Sequence, residues 1–274
     1  MDELNNVTLA QITEIFLNNF QPNTLFIGQE AYFLDQTTST NDWMWQFIKS
    51  RTPAEGAMVF ANYQAQGKGR IARVWNSNKG ENILCSFFLK PAFITIQQHA
   101  SLNFSIALAV ADTFSAFLND PIALKWPNDI ICDNKKLAGI LIENTIKGDK
   151  IENVVVGIGM NINQKHFEQE PLAASVFMLK GQFTPLEVVL SKLAQNLEKQ
   201  YLRLRTANHQ TILDEYNRRL YGKNTSVTIK TDNNLSEGIL KEVKANGEIE
   251  IVTSEGLMRY QYNNVKLYYN GFNS

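Results

Sequence analysis

The sequence predicts an α+β fold followed by a small all-β unit, and three observations carry that prediction. Up to about residue 220, short apolar strands alternate with segments whose apolar residues recur at helical spacing. From residue 221 onward the chain turns to short alternating stretches divided by turn signals, the mark of a small antiparallel barrel. With 274 residues, 44% hydrophobic and 19% charged, it is long enough to bury a full core. The expected division is a larger domain over 1–220, with an N-terminal extension at 1–28, and a small β-barrel domain over 221–274.

Taken in order, Thr8-Leu9-Ala10-Gln11 has the form of a capping box, and Ile12, Ile15 and Phe16 follow at helical spacing. One short helix is expected there, closed by Pro22. Residues 31–34 read as a strand, and Thr37-Thr38-Ser39-Thr40-Asn41 supplies a turn and a cap for a helix running through Ile48. Strands follow at 56–63 and 82–89, then a helix at 99–118. Short strands come next at 122–125, 130–132, 137–143 and 153–160, and helices at 186–204 and 212–220. In the last part, strands at 227–230, 238–243, 249–252, 258–262 and 265–269 are separated by turns such as Ala245-Asn246-Gly247.

Composition narrows the function. A net charge of −1 argues against a nucleic-acid or membrane-surface partner held mainly by electrostatics. No apolar run reaches the ~18 residues of a membrane span, and the start lacks the basic and apolar regions of a signal peptide. Cys85 and Cys132 lie in strand-like apolar surroundings and read as inert core thiols of a reducing compartment, so the expected location is cytoplasmic. His99, His166 and His209 are not at metal-ligand spacing, so no structural metal site is expected. There is no phosphate-binding P-loop and no Gly-x-Ser-x-Gly elbow.

Four segments carry chemistry. Gly67-Lys68-Gly69-Arg70-Ile71-Ala72-Arg73-Val74-Trp75 lies in a long polar loop over 64–81, and loops of that length in a compact domain are usually functional. Its glycines allow close backbone approach, its cations suit phosphate, and its Trp offers a face for a purine. A solvated basic loop is the plainer alternative. A dinucleotide fingerprint also fits Gly67-x-Gly69-x-x-Ala72, but it fails because no sheet-facing helix follows. Lys125-Trp126-Pro127-Asn128-Asp129 places a cation, an amide and a carboxylate at one strand end, although a bare hairpin turn explains Pro-Asn-Asp equally well. In Lys136-Leu137-Ala138-Gly139-Ile140-Leu141-Ile142-Glu143 a lysine stands at the mouth of a buried strand. The fourth segment, 154–163, holds Gly157 and Gly159 inside an apolar strand, where a ligand or a bulge accounts for them.

In this order the four segments resemble the biotin–protein ligase family. Its glycine- and arginine-rich loop ending in Trp matches Gly67 to Trp75, with Lys68 for an Arg and Ala72 for a Gly. Lys-Trp-Pro-Asn-Asp and Lys-Leu-Ala-Gly-Ile-Leu also match, and Ser39-Thr40-Asn41 and Gln64 fall at the family's early biotin contacts. The resemblance implies a mixed β-sheet with flanking helices, of the type shared with class II aminoacyl-tRNA synthetases, and a C-terminal SH3-like barrel. It implies that Ser39, Thr40, Gln64, Gly67 and Lys68 hold biotin, with Gly139 and Leu141 lining its slot. Arg70, Arg73, Trp75, Asn128 and Lys136 would take ATP and the adenylate. Lys136, Arg70 and Asp129 would be catalytic, and magnesium would arrive with ATP near Asn128 and Asp129.

The implied reaction joins biotin and MgATP to biotinyl-5′-AMP, then passes biotin to a lysine of a biotin carboxyl carrier protein. The alternatives are a lipoate or octanoate ligase and a non-catalytic biotin-binding module. Some relatives bind DNA through an N-terminal helix-turn-helix, but the about 25 residues before the first strand are too few for one and are not basic, so no nucleic-acid partner is expected. A homodimer is left open.

Overall fold

The computed structural model describes residues 19–70, 73–206, 208–232 and 234–269. The helix expected around residues 8–16 lies outside them, as does Ala72. Strands β1 (Ala31–Thr37), β2 (Met58–Gln64), β3 (Ile83–Leu89), β4 (Ala123–Lys125), β5 (Asp129–Cys132), β6 (Lys135–Lys147) and β7 (Lys150–Met160) form one mixed sheet in the order β1-β2-β3-β7-β6-β5-β4. The β1–β2 pair is parallel and joined through helix α1 (Thr40–Ser50); the other neighbours are antiparallel.

The two-residue period of the strands decides what each face carries. On one face Met58, Phe60, Cys85, Phe87, Val154, Val156 and Ile158 join the large core. Helices α2 (His99–Phe114), α4 (Leu186–Thr206) and α5 (His209–Arg218) contribute Phe104, Val110, Leu193 and Tyr216 to it. On the other face Val59, Phe88 and Val155 pack with Met44 of α1 in a second cluster. Continuing along that second face, β7 presents Gly157 and Gly159, and their partners on β6 are Leu141 and Gly139. That stretch of sheet carries almost no side chain of its own, and it is the floor of the site described below.

Ser39 caps α1 and accepts the Asp42 N–H, as its sequence context predicted. The short helix α3 (Val176–Lys180), capped by Ser175 and ended by Gly181 at φ 72°, was not predicted. Five residues are too few to show helical periodicity. Cys85 and Cys132 are buried, and burial pushes the Cys132 thiol up to about 11 and the Cys85 thiol further.

One buried carboxylate ties the start of the described chain to α4. Glu198 accepts the backbone N–H groups of Leu25, Phe26 and Ile27 at 2.8–3.2 Å. Replacing it with Ala leaves those donors without their charged acceptor, so Glu198→Ala should lower the unfolding free energy by about 3 kcal/mol in urea denaturation. A loss below about 0.5 kcal/mol would mean that water replaces the carboxylate.

After α5 the chain forms a second sheet from β8 (Ser226–Lys230), β9 (Leu235–Val243), β10 (Ile249–Thr253), β11 (Gly256–Tyr260) and β12 (Lys266–Tyr269). These five antiparallel strands lie in the order β11-β10-β9-β8-β12, close to the expected segments. Asn217 of α5 exchanges two 2.8 Å hydrogen bonds with the Val243 backbone. Trp126 Nε1 donates to Gly247 O at 3.0 Å. These bonds set the small sheet against the β4–β5 turn, beside the glycine floor.

Candidate active site

The loop over 64–81 crosses the glycine floor and closes a cavity of about 540 Å³. Thirteen residues are assigned by the resemblance, and all but Gly67 line this cavity. Gly67 lines a second, more open pocket that the loop forms with Leu141 and Glu143, and its carbonyl accepts the Trp75 N–H at 2.8 Å. The loop folds back on itself there. Lys68 bridges to Val74, and the Gly69 N–H donates to Arg73 O at 2.7 Å.

At one end of the cavity lies a polar network at the start of α1. Gln64 Oε1 accepts from Thr40 N at 2.7 Å and from Thr40 Oγ1 at 3.0 Å. Ser86 Oγ lies 2.7 Å from both Thr40 Oγ1 and Asn41 Oδ1. Asn41 Nδ2 donates to Glu143 Oε2 at 2.8 Å, and that carboxylate also accepts from Trp45 Nε1 at 3.2 Å. Ser39, Thr40, Asn41 and Ser86 are buried, so the network is rigid and presents fixed polar groups beside an apolar slot. Sequence reading found Ser39, Thr40 and Gln64. It gave no role to Ser86 and Glu143, which sit in ordinary strand patterns.

Trp75 divides the cavity. Its indole lies so close over the sheet that a Cβ on Gly139 would meet its Cζ3 at 2.9 Å, and one on Gly159 its Cζ2 at 2.7 Å. Only glycine leaves room for the ring at these two positions. The indole N–H is buried and has no hydrogen-bond partner among the described residues.

Beyond Trp75 the cavity is cationic. Lys136 Nζ stands 2.8 Å from Asp129 Oδ1 and 5.5 Å from the Trp75 ring centre. A register shift at Ile130/Ile131 against β6 accompanies this placement. Simple alternation would send Lys136 to the face of Ala138 and Ile140, which is the core; instead Leu137 is buried there and Lys136 reaches the site. A bulge re-aims side chains in this way. Asn128 holds the turn, its Nδ2 donating to Ile140 O at 2.9 Å, and the Trp126–Pro127 bond is cis. The small sheet and its last turn add Tyr262, Val265, Lys266 and Leu267 to the wall, and residues 170–173 close another side. Neither group carries a local signal in the sequence, because only the packing of distant segments brings them here.

Lys125 is buried at this end, and desolvation brings its pKa down from 10.5 to about 8, against the opposing pull of Asp129; Lys136, Arg73 and Lys266 lower it further. The folded pKa lies below the unfolded one, so between pH 8 and 10.5 the unfolded chain binds more protons and stability rises with pH. Relative to Lys125→Met, wild type should therefore gain stability across that window, by up to about 3 kcal/mol. Denaturation curves of the two proteins at pH 7, 8, 9 and 10 measure the difference, and a flat difference would refute it.

The comparisons decide the family. Residues 33–161, from β1 to just past β7, match the model of the biotin/lipoate A/B protein ligase family. The chain belongs to this family. The ligase is 29% identical over 252 residues to the bifunctional ligase/repressor BirA of Bacillus spizizenii, covering 90% of this chain and 77% of that protein. It is 31% identical over 182 residues to the biotin–[acetyl-CoA-carboxylase] ligase of Mycobacterium tuberculosis, covering 65% of this chain and 66% of that one. Its fold matches the biotin protein ligase of Aquifex aeolicus in complex with biotin and ATP, at a TM-score of 0.75 and 23% identity, over 88% of this chain and 99% of that one. The α+β class, the mixed sheet with flanking helices and the C-terminal five-stranded sheet agree with the sequence expectation. Among the described residues no helix is long and apolar enough to cross a membrane, and no group of three or more His, Cys, Asp or Glu is arranged to hold a metal ion.

Proposed function

We propose that this ligase activates biotin with MgATP and transfers it to a lysine of a biotin carboxyl carrier protein. The observation that carries the reading is the partition of a single cavity. One end is a glycine-floored slot with fixed polar groups, the other is a cluster of cations, and Trp75 stands between them. A ring-bearing acid fits the first with its carboxylate reaching toward the second, where Arg70, Arg73 and Lys136 suit the phosphates of ATP. Ser39, Thr40, Gln64, Gly139 and Leu141 take the biotin side, with Gly67 and Lys68 holding the loop over it. Asn128 orients the phosphate side. Magnesium enters with ATP as part of the substrate.

In the first step the biotin carboxylate oxygen attacks the α-phosphorus, and the α–β phosphoanhydride bond breaks to release pyrophosphate. Lys136 and the loop arginines stabilise the charge that grows on the phosphoryl oxygens. In the second step the acceptor lysine's amine attacks the acyl carbon, loses a proton and displaces AMP. Asp129 orients that amine or takes its proton, a reading supported by its 2.8 Å contact with Lys136. The loop shields the mixed anhydride from water. The division at residue 220 belongs to the same reading, with the catalytic domain before it and the small sheet after it.

The test is the mass of an apo biotin-carrier domain incubated with the ligase, MgATP and either biotin or lipoate. A gain of one biotinyl group that requires ATP is the expected result. A gain with lipoate alone would move the protein to the lipoate branch of its family, and no gain with either would leave a binding module.

A further inference from the structure

The loop is fastened at both margins of the cavity. On one side Lys68 Nζ pairs with Asp42 Oδ1 of α1 at 2.6 Å. On the other the Arg70 guanidinium carbon stands over the ring of Tyr262, 3.6 Å from its centre. Tyr262 belongs to the turn between β11 and β12, a turn closed by the Asn264 N–H donating to Gln261 O at 3.1 Å. This contact therefore joins the nucleotide side of the site to the C-terminal sheet. Arg70 is partly desolvated there, with the Tyr262 hydroxyl acting on it first and the Asp129 charge after it, so Tyr262 is the main partner that confines the guanidinium. Desolvated contacts of this kind are the strong ones among cation–π pairs.

We propose that Tyr262 is a positioning residue that holds Arg70 and latches the loop onto the C-terminal sheet. The ring does not touch the reacting atoms. Its contribution is to keep the Arg70 side chain extended over the phosphate end rather than free in solvent, and to hold the loop down over the cavity. The C-terminal sheet is thereby part of the nucleotide site, and its role in ATP use deepens the ligase reading and rests on it. The latch itself does not.

The experiment uses the full chain with Tyr262→Leu, which removes the ring face, and Tyr262→Phe, which keeps it. The loop offers trypsin Lys68, Arg70 and Arg73, so the rate of cleavage there reports how often the loop opens. Tyr262→Leu should be cut in the loop about tenfold faster than wild type, and Tyr262→Phe within about twofold of it. Tyr262 is 44% exposed, so both variants should keep the wild-type melting midpoint. In adenylation assays Tyr262→Leu should raise KM for ATP by about five- to tenfold with a smaller change in kcat and none in KM for biotin. Equal cleavage of Tyr262→Leu and wild type, or cleavage of Tyr262→Phe as fast as Tyr262→Leu, would overturn the latch. If wild type forms no biotinyl adenylate, the ligase reading fails while the cleavage rates still decide the latch.

Discussion

Replacing Lys136 with Met should slow adenylate formation by about 10²–10³-fold, the cost of removing one preorganised charge from a developing oxyanion. The lysine is placed by more than its own contacts. Its N–H donates to Leu172 O at 2.7 Å, and its carbonyl accepts from Ala174 N at 3.0 Å and from Asn161 Nδ2 at 3.3 Å. A Met at the same backbone position therefore removes the charge without freeing the strand. Asp129 keeps a cationic neighbour in Lys125, which limits the structural cost of the substitution. Exchange of labelled pyrophosphate into ATP in the presence of biotin measures the step. Biotin binding should fall less than the adenylation rate, because Lys136 meets only the carboxylate end of the acid while the glycine-floored slot is untouched. An exchange rate within tenfold of wild type would remove Lys136 from the chemistry.

Gly157→Ala should weaken biotin binding by about 10–100-fold and destabilise the fold by about 1–3 kcal/mol. A methyl at this position would point into the Asn41 amide, reaching its Cγ at 2.9 Å and lying closer still to its Oδ1. Asn41 cannot easily retreat. It is buried, its Nδ2 bonds Glu143, and its Oδ1 faces Ser86. The methyl thus breaks the polar end of the slot or displaces α1. Calorimetric titration with biotin and urea denaturation read the two effects. Adding Asn41→Gly to Gly157→Ala should restore much of the stability but not the affinity, since the space returns and the polar network does not. If the double variant is no more stable than Gly157→Ala alone, steric conflict with Asn41 is not the cause.

Much of this architecture was legible because it is written locally. Helices α1, α2, α4 and α5 and the strands of both sheets have the period of their class over enough residues to be read. Ser39 carries the cap signature that it uses. The loop of glycine, lysine, arginine and tryptophan, the Lys-Trp-Pro-Asn-Asp turn and the Lys136 strand each identified themselves by residue type and spacing. The same local reading missed α3, which is too short to repeat. It also gave Tyr262 no role beyond the end of a strand, because nothing near Tyr262 in the chain shows that Arg70 will lie on it.

The sequence by itself determined the strands of the two sheets, the family resemblance and twelve of the residues that line one cavity. Tertiary structure alone decided three further things. It placed Trp75 over Gly139 and Gly159, since the indole must cross from the loop to a sheet face that alternation leaves bare. It brought Tyr262, Val265, Lys266 and Leu267 to the cavity wall through the packing of the small sheet against α5 and the Trp126 turn. It also turned Lys136 into the site, where a strict two-residue period would bury it in the core. The physical reason is the same each time. Periodicity specifies which residues share a face, but a bulge, a loop crossing and the docking of a second sheet depend on contacts between segments distant in the chain.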